Sequence, residues 1–315
     1  MDFMERAEPG PRETDAGDNL APDGDLAADR HRPRHVGNRA NGRAQRRPAH
    51  GPWLQVGSSR GFEWHRAELA IPDLPAELAG LRILHISDFH AWAHWDPGYD
   101  QLIERVKSQR PDMILFTGDF VDCKHDYTPA MPVVQRVMEG LTSRLGTYVI
   151  LGNHDDDLLA ASLGGWGLHQ VHGRRICLES GAATIELIGI GGLERRDLDP
   201  RFIASIPPKK PGAVRIVLSH FPDTLRRVGG LRPDLFLAGH THGGQICLPG
   251  GRPISSHDSL PRRFCRGIHH IAGTWLVVNR GFGFSSLLRV RTFCPAEVIE
   301  MTLVRGEAPG RDVEL

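Results

Sequence analysis

Five apolar runs in this chain each stop at a cluster of polar residues, and that arrangement restricts the fold more than any other feature. LRILHIS (81–87) is followed by Asp88-Phe89-His90, DMILFTG (112–118) by Asp119, and TYVILG (147–152) by Asn153-His154-Asp155. AVRIVLS (213–219) is followed by His220, and DLFLAG (234–239) by His240-Thr241-His242. Runs this short, rich in Ile, Val and Leu, read as buried strands. Between them lie amphipathic stretches: residues 99–109, with Leu102, Ile103 and Val106 on one face and Pro111 beyond the end, and residues 131–141, through Val134, Val137, Met138 and Leu141. Asp88 to Asp119 is 31 residues and Asp119 to Asn153 is 34, each the size of one β-α unit. Ligands of open α/β sheets bind outside the carboxyl ends of the strands, so the five clusters are expected to converge at one mouth.

Further strands are expected in ATIELIGIGG (183–192), TWLVVNRG (274–281) and AEVIEMTLV (296–304), with Gly and Pro turns between them. Eight or more strands with few helices are too many for one simple doubly wound sheet. A two-sheet sandwich flanked by helices is the better expectation.

The converging residue types suit metal ions. Four imidazoles, an amide and two carboxylates (Asp88, His90, Asp119, Asn153, His220, His240, His242) exceed one tetrahedral or octahedral shell, so two divalent cations are expected. Mixed nitrogen and oxygen ligands without thiolate favour Mn, Fe or Zn over Mg. One carboxylate must then bridge, and Asp119, central in the order and preceded by a permissive Gly118, is the best candidate. Two such ions, less the charges of Asp88, Asp119 and a bound hydroxide, leave a small positive charge that suits a phosphodiester anion. Paired metals activate a shared water and clamp the phosphoryl oxygens, so hydrolysis by a bridging hydroxide is the expected chemistry. His154 follows the ligand Asn153 and is expected to assist the leaving group, with Asp155 fixing its orientation.

In order, Asp88-Phe89-His90, Gly118-Asp119-Phe120-Val121-Asp122, Gly152-Asn153-His154-Asp155, His220 and Gly239-His240-Thr241-His242 resemble the five motifs of the calcineurin-like metallophosphoesterase superfamily. The resemblance covers about residues 85–300. It implies a four-layer αββα sandwich of two mixed β-sheets flanked by helices. It also implies Asp88, His90 and His242 on one metal, Asn153, His220 and His240 on the other, and Asp119 on both. The strings GHTHGGQICLPG and NRGFGFSSLLRVRTFCPAEV are similar to the bacterial phosphodiesterase branch that includes UDP-diacylglucosamine pyrophosphohydrolases of lipid A synthesis. That similarity implies a small-molecule or lipid-linked phosphoester as substrate.

Outside the motifs the signals are weaker. Asp122 reads either as an acceptor for a ligand histidine or as a surface turn residue. Trp92, His94 and Trp95 sit beside the expected mouth, as an apolar wall for substrate or as core. Arg280, with Phe282, Phe284, Leu287 and Leu288 after it, is a candidate substrate contact and hints at a lipid-like substrate or contact with a membrane. Five cysteines without a C-x-x-C pair are expected to be free thiols, with Cys123 and Cys247 packed rather than ligating.

Lysine plus arginine and aspartate plus glutamate both number 38, so the global field predicts no polyanionic partner. Residues 1–60 are expected to form a disordered tail, acidic from Asp2 to Asp29 and then Arg-rich, with seven arginines and no acid from Arg30 to Arg47. The folded domain is expected over 61–310. No apolar stretch follows Arg46-Arg47, so an export signal is not expected, and no run of about 18 apolar residues predicts a membrane span. A cytoplasmic protein is expected, with peripheral membrane contact left open and nucleic acid not the expected partner. Two rivals are a non-catalytic metal-binding scaffold, which predicts gaps in the ligand set, and a nuclease or nucleic-acid binder that uses the arginine stretch.

Overall fold

The computed structural model describes residues 4–8, 51–122, 126–192, 198–256, 258–285 and 289–307. In chain order the first half contains β1 (Met4–Glu8), β2 (Leu54–Val56), β3 (Glu63–Ile71), β4 (Arg82–Ile86), α1 (Pro97–Gln109), β5 (Met113–Thr117), α2 (Met131–Gly140), β6 (Thr147–Ile150), α3 (Asp157–Leu163) and β7 (His169–Gln170). The second half continues with β8 (Arg175–Ser180), β9 (Ala183–Gly189), α4 (Pro200–Ser205), β10 (Ala213–Leu218), α5 (Leu225–Val228) and β11 (Leu235–Ala238). It closes with β12 (Cys247–Leu248), β13 (Arg252–Pro253), β14 (Gly267–Ile271), β15 (Thr274–Val278), β16 (Val290–Thr292) and β17 (Glu297–Arg305).

Two mixed sheets result. One runs β3-β17-β4-β5-β6-β7 and the other β1-β8-β9-β10-β11-β15-β14. Their central strands, β4 to β7 and β9 to β11 with β15, are parallel, so their carboxyl ends share a direction within each sheet.

The period-two alternation of these strands divides the interior into three layers. Ile83, Leu115 and Ile150 from one sheet meet Leu187, Ile216 and Leu237 from the other. The opposite faces, Leu84, Ile86, Ile114 and Phe116, pack under Leu102 and Val106 of α1 and Val134 and Val137 of α2. Val217, Phe236 and Leu276 face Phe202 and Leu225 of α4 and α5. Each fully buried aliphatic side chain contributes roughly 1.5 to 3 kcal/mol. These layers are the expected helix–sheet–sheet–helix sandwich.

The local signals that set the helices are plain. Asp96 caps α1 by accepting the Gly98 amide at 2.8 Å, Pro97 opens the helix, and Arg110 ends it at φ 48° ahead of Pro111. The expected start at 99 is therefore two residues late.

The sequence expectation of a tail over 1–60 is corrected at both ends. Met4–Glu8 pairs antiparallel with Arg175–Ser180 at the edge of the second sheet. Residues 51–60 are held on the domain: Asp96 accepts the Ser58 hydroxyl and the Ser59 amide, at 2.5 and 2.6 Å, and the buried Gln55 accepts the Ala296 amide at 2.8 Å. Polar residues bonded internally look like linker in a sequence, which hid this anchoring. The arginine stretch from 30 to 47 lies outside the described residues, as do Cys123, Leu287 and Leu288.

Candidate metal centre

All seven expected ligands come together where the carboxyl ends of β4, β5, β6, β10 and β11 meet. Asp88, His90 and Asp119 are buried, as are His220 and His242, whereas Asn153, His154 and His240 are half-buried and mark the open side. His90 Nε2 and His242 Nε2 are 2.9 Å apart, and Asp88 Oδ1 lies 3.9 and 3.5 Å from them. On the other side Asn153 Oδ1 is 3.0 Å from His220 Nε2 and 2.9 Å from His240 Nδ1. Between the two groups sits Asp119 Oδ2, 3.4 Å from His90 Nε2 and 3.2 Å from His220 Nε2.

The backbone is bent to achieve this. Asp88, His90, Asp119, His240 and His242 all have left-handed φ, between 42° and 66°. Such a conformation costs a non-glycine residue of order 1 to 3 kcal/mol, a strain that concentrates at functional sites. Two neighbouring glycines permit the close approach. A Cβ on Gly239 would run into Ser87 Oγ and Asp88 Oδ2, and one on Gly152 into Asp119 Oδ1.

Partners behind the ligands fix their free atoms. His220 Nδ1–H donates to the Thr117 carbonyl at 2.8 Å, which leaves Nε2 to face Asp119 and Asn153. Asp122 is buried with Oδ1 3.2 Å from His90 Nδ1, which sets it beside a candidate ligand histidine and not on a surface turn. The buried Arg291 was not singled out from sequence. Its guanidinium lies 3.2 Å from His242 Nδ1 and donates to the carbonyls of Arg280, Gly281 and Gly283. A single arginine in the middle of the three-residue strand β16 gives no periodic signal of its own, which is why only the fold exposes its contact with His242.

Several expectations are corrected here. Asp155 does not orient His154. Its carboxylate accepts the amides of Asp119, Phe120 and Gly152 at 2.8, 2.8 and 2.7 Å, while His154 Nδ1 is 2.7 Å from the Asp122 carbonyl. Asp155 therefore shapes the loop that carries Asp119. Arg280 is buried, clamped between Glu63 and Glu297, and is not presented to the mouth. Trp95 is packed on the core and Tyr99, with its Nε1–H donated to Asp100 at 2.9 Å. Trp92 is exposed, with the Arg289 guanidinium 5.0 Å from its ring centre. Cys247 and Cys294 are packed under the His242-Gly243 turn and do not reach the ligands.

The electrostatics show whether cations fit. Burial pushes the Asp88 carboxyl up and the nearby Asp119 charge adds to it. Burial would likewise raise Asp119, but the surrounding His220, His90 and His154 hold it well below the usual carboxylate range. Burial lowers a histidine, yet Asp119 raises His220 to about 9. Asp155 is pushed up to about 7, by burial first and the Asp119 charge second. His242 is driven well down by burial, then by His90 and Arg291. Asp88, Asp155 and His220 are thus raised toward their protonated forms while Asp119 stays ionised and His242 neutral, and this buried set of oxygen and nitrogen donors gains from added positive charge and fits divalent cations.

The profile of the calcineurin-like phosphoesterase family matches residues 81–244, more than half of the chain. The chain belongs to the calcineurin-like phosphoesterase family. It is accordingly a hydrolase acting on phosphoester bonds, and its two-sheet architecture is that of the family. Similar proteins include the metallophosphoesterase YkuE of Bacillus subtilis, 27% identical over 242 residues that cover 73% of this chain and 81% of the relative. Phosphodiesterase YaeI of Escherichia coli is 28% identical over 253 residues, 77% of this chain and 88% of the relative. The UDP-2,3-diacylglucosamine pyrophosphatase LpxG of Chlamydia muridarum is 26% identical over 297 residues, 75% and 87% of the two chains. No helix among the described residues of this phosphoesterase is long and apolar enough to cross a membrane.

Proposed function

We propose that this phosphoesterase cleaves a phosphodiester or pyrophosphate bond with two divalent cations, of which Mn, Fe and Zn suit the donors best. Asp88, His90 and His242 would hold one, Asn153, His220 and His240 the other, and Asp119 both. When bound, such a pair supplies an acidified water and positive charge against the phosphoryl oxygens. The observation that carries the reading is the placement of Asp119 Oδ2 within 3.4 Å of one imidazole group and 3.2 Å of the other.

The protein's own groups do the rest. Asp155 and the left-handed turns keep the ligand loops in place before substrate arrives, which avoids reorganisation during the reaction. His154 stands edge-on to His90, ring centres 4.7 Å apart, at the half-buried side of the site. With Nδ1–H held by the Asp122 carbonyl, its Nε2 is the atom that meets substrate, as donor to a phosphoryl oxygen or to the departing oxygen. A lipid-linked nucleotide such as UDP-diacylglucosamine is the favoured substrate class, supported by the similarity to LpxG.

The test is hydrolysis by Mn-reconstituted protein of an aryl phosphodiester, UDP-2,3-diacylglucosamine, a cyclic nucleotide, a phosphomonoester and single-stranded DNA. Activity on a diester or pyrophosphate that falls about hundredfold or more in Asp119→Asn is expected. Turnover unchanged by that substitution would refute the bridging role, and a preference for the monoester or for DNA would refute the substrate class.

A further inference from the structure

Seven large apolar side chains are exposed among the described residues, and six of them (Trp53, Leu54, Val56, Trp92, Leu248 and Ile254) fall in segments that touch one another. Val56 and Leu54 pair across β2 and β16 with Val290 and Thr292, and Ile246 bridges to Thr292. Ile254 donates its amide to the Ile246 carbonyl at 3.3 Å, and the Trp53 and Phe293 rings are 5.8 Å apart. Arg289, which lies over Trp92, also donates to the Gly57 carbonyl at 3.4 Å. One face therefore carries all six, with exposures from 40% to 64%.

The alternation on this face is inverted. Gln55 is buried while Leu54 and Val56 point outward, and Cys247 is buried while Leu248 points outward. A solvated sheet face does the reverse, and a contiguous apolar patch on a soluble domain marks a contact surface. The acidic groups bonded to these segments, Asp96 on Ser58 and Ser59 and Glu63 on Gly51, are buried, so the exposed charges within the segments are positive. Segments 51–60, 90–95, 246–256 and 289–294 contain no Asp or Glu, whereas Arg60 and Arg252 are exposed beside the apolar groups and Arg289 is half-buried.

We infer that this face docks on an anionic lipid bilayer, with Trp53, Leu54, Val56 and Leu248 at the acyl boundary and the arginines among the headgroups. Tryptophan with aliphatic side chains and a rim of arginine suits an interface that is apolar below and negatively charged above. A nucleic acid would use the cations but leave Leu54, Val56, Leu248 and Ile254 without a partner. Docking does not depend on which phosphoester is cleaved. Its place, however, is beside the metal centre: Trp92 is two residues from His90, and Gln245, whose carbonyl accepts the Thr292 amide at 3.1 Å, is three from His242.

The experiment is cosedimentation of the full chain with vesicles of phosphatidylcholine alone or mixed with phosphatidylglycerol, at two salt concentrations. Binding to the anionic vesicles that weakens with salt is expected, and Val56→Glu with Leu248→Glu should reduce it about tenfold or more. Arg60→Glu and Arg252→Glu, both at exposed positions, should each reduce it about fivefold. Leu158→Glu, at the seventh exposed apolar side chain, should leave it unchanged. Hydrolysis of a water-soluble aryl phosphodiester by the same variants should match the parent, which separates failure of docking from failure of the proposed chemistry. No binding to either vesicle overturns the inference, as does equal binding by the folded variants. A dimer in solution that Val56→Glu converts to monomer, without vesicle binding, overturns it in favour of contact between copies.

Discussion

The Asp155 carboxylate accepts the backbone amide of Asp119 at 2.8 Å, so one acid in the centre positions another. Asn at 155 would keep one acceptor oxygen but turn an NH2 toward amides that also donate. Asp155→Asn is expected to lose about 1 to 3 kcal/mol of stability and about 10- to 100-fold in metal affinity. Thermal unfolding and Mn titration measure the two effects. A variant that binds Mn like the parent would show that the Asp119 loop holds itself.

His154 makes a different prediction because it lies at the open side and is not in the proposed ligand set. His154→Ala should retain metal while kcat falls about 10²- to 10⁴-fold on a diester with a poor leaving group. The loss should shrink for a nitrophenolate leaving group, which needs no proton. Steady-state kinetics with both leaving groups, beside a metal assay, give the comparison.

Metal loading should depend on pH in a definite direction. Against burial, the Asp119 charge raises His220 to about 9, and His90 is raised as well by Asp122 and Asp119, so at neutral pH protons compete with a cation for these nitrogens. Mn affinity is therefore expected to rise from pH 6 to pH 9, which calorimetric titration reads directly. Chelation should lower Tm, since metal at a hundredfold its Kd adds about 2.7 kcal/mol.

The cluster of Glu63, Arg280 and Glu297 with the half-buried His65 gives a prediction outside the proposed ligand set. Burial opposes a charged His65, but bonds to Glu297 and Glu63 outweigh it and raise the imidazole from 6.5 to about 9. A group raised on folding contributes stability that is whole below its unfolded pKa and disappears as pH climbs through the folded one. The stability gap between parent and His65→Ala should therefore be largest below about pH 6.5 and close toward pH 10. Denaturant titrations across that range would show it, and a gap that widened with pH would contradict the assignment.

The convergence of the candidate ligands was legible because each follows a run of buried aliphatic residues, and strand termini are where period-two sequence signals stop most sharply. Strands such as Glu63–Ile71 and Arg175–Ser180 were not, because charge interrupts their pattern. In the second case the charge is neutralised inside the sheet, where Glu186 holds both Arg175 and Arg215. Side-chain direction was equally out of reach: Asp155 is next to His154 in the chain yet serves Asp119, and Arg280 adjoins the motifs yet is turned into an ion cluster. Adjacency in sequence fixes position along the backbone but not which way a loop residue faces.

The division of ligands between the sheets has a mechanical consequence. Strands β4, β5 and β6 lead into Asp88, His90, Asp119 and Asn153, so every oxygen donor of the proposed set comes from one sheet, whereas His220, His240 and His242 come from the other. The centre is thus a clasp across the seam of the sandwich. Slippage of one sheet by a single residue would break both halves of the set at once, so a loaded centre certifies that the two sheets have met in register.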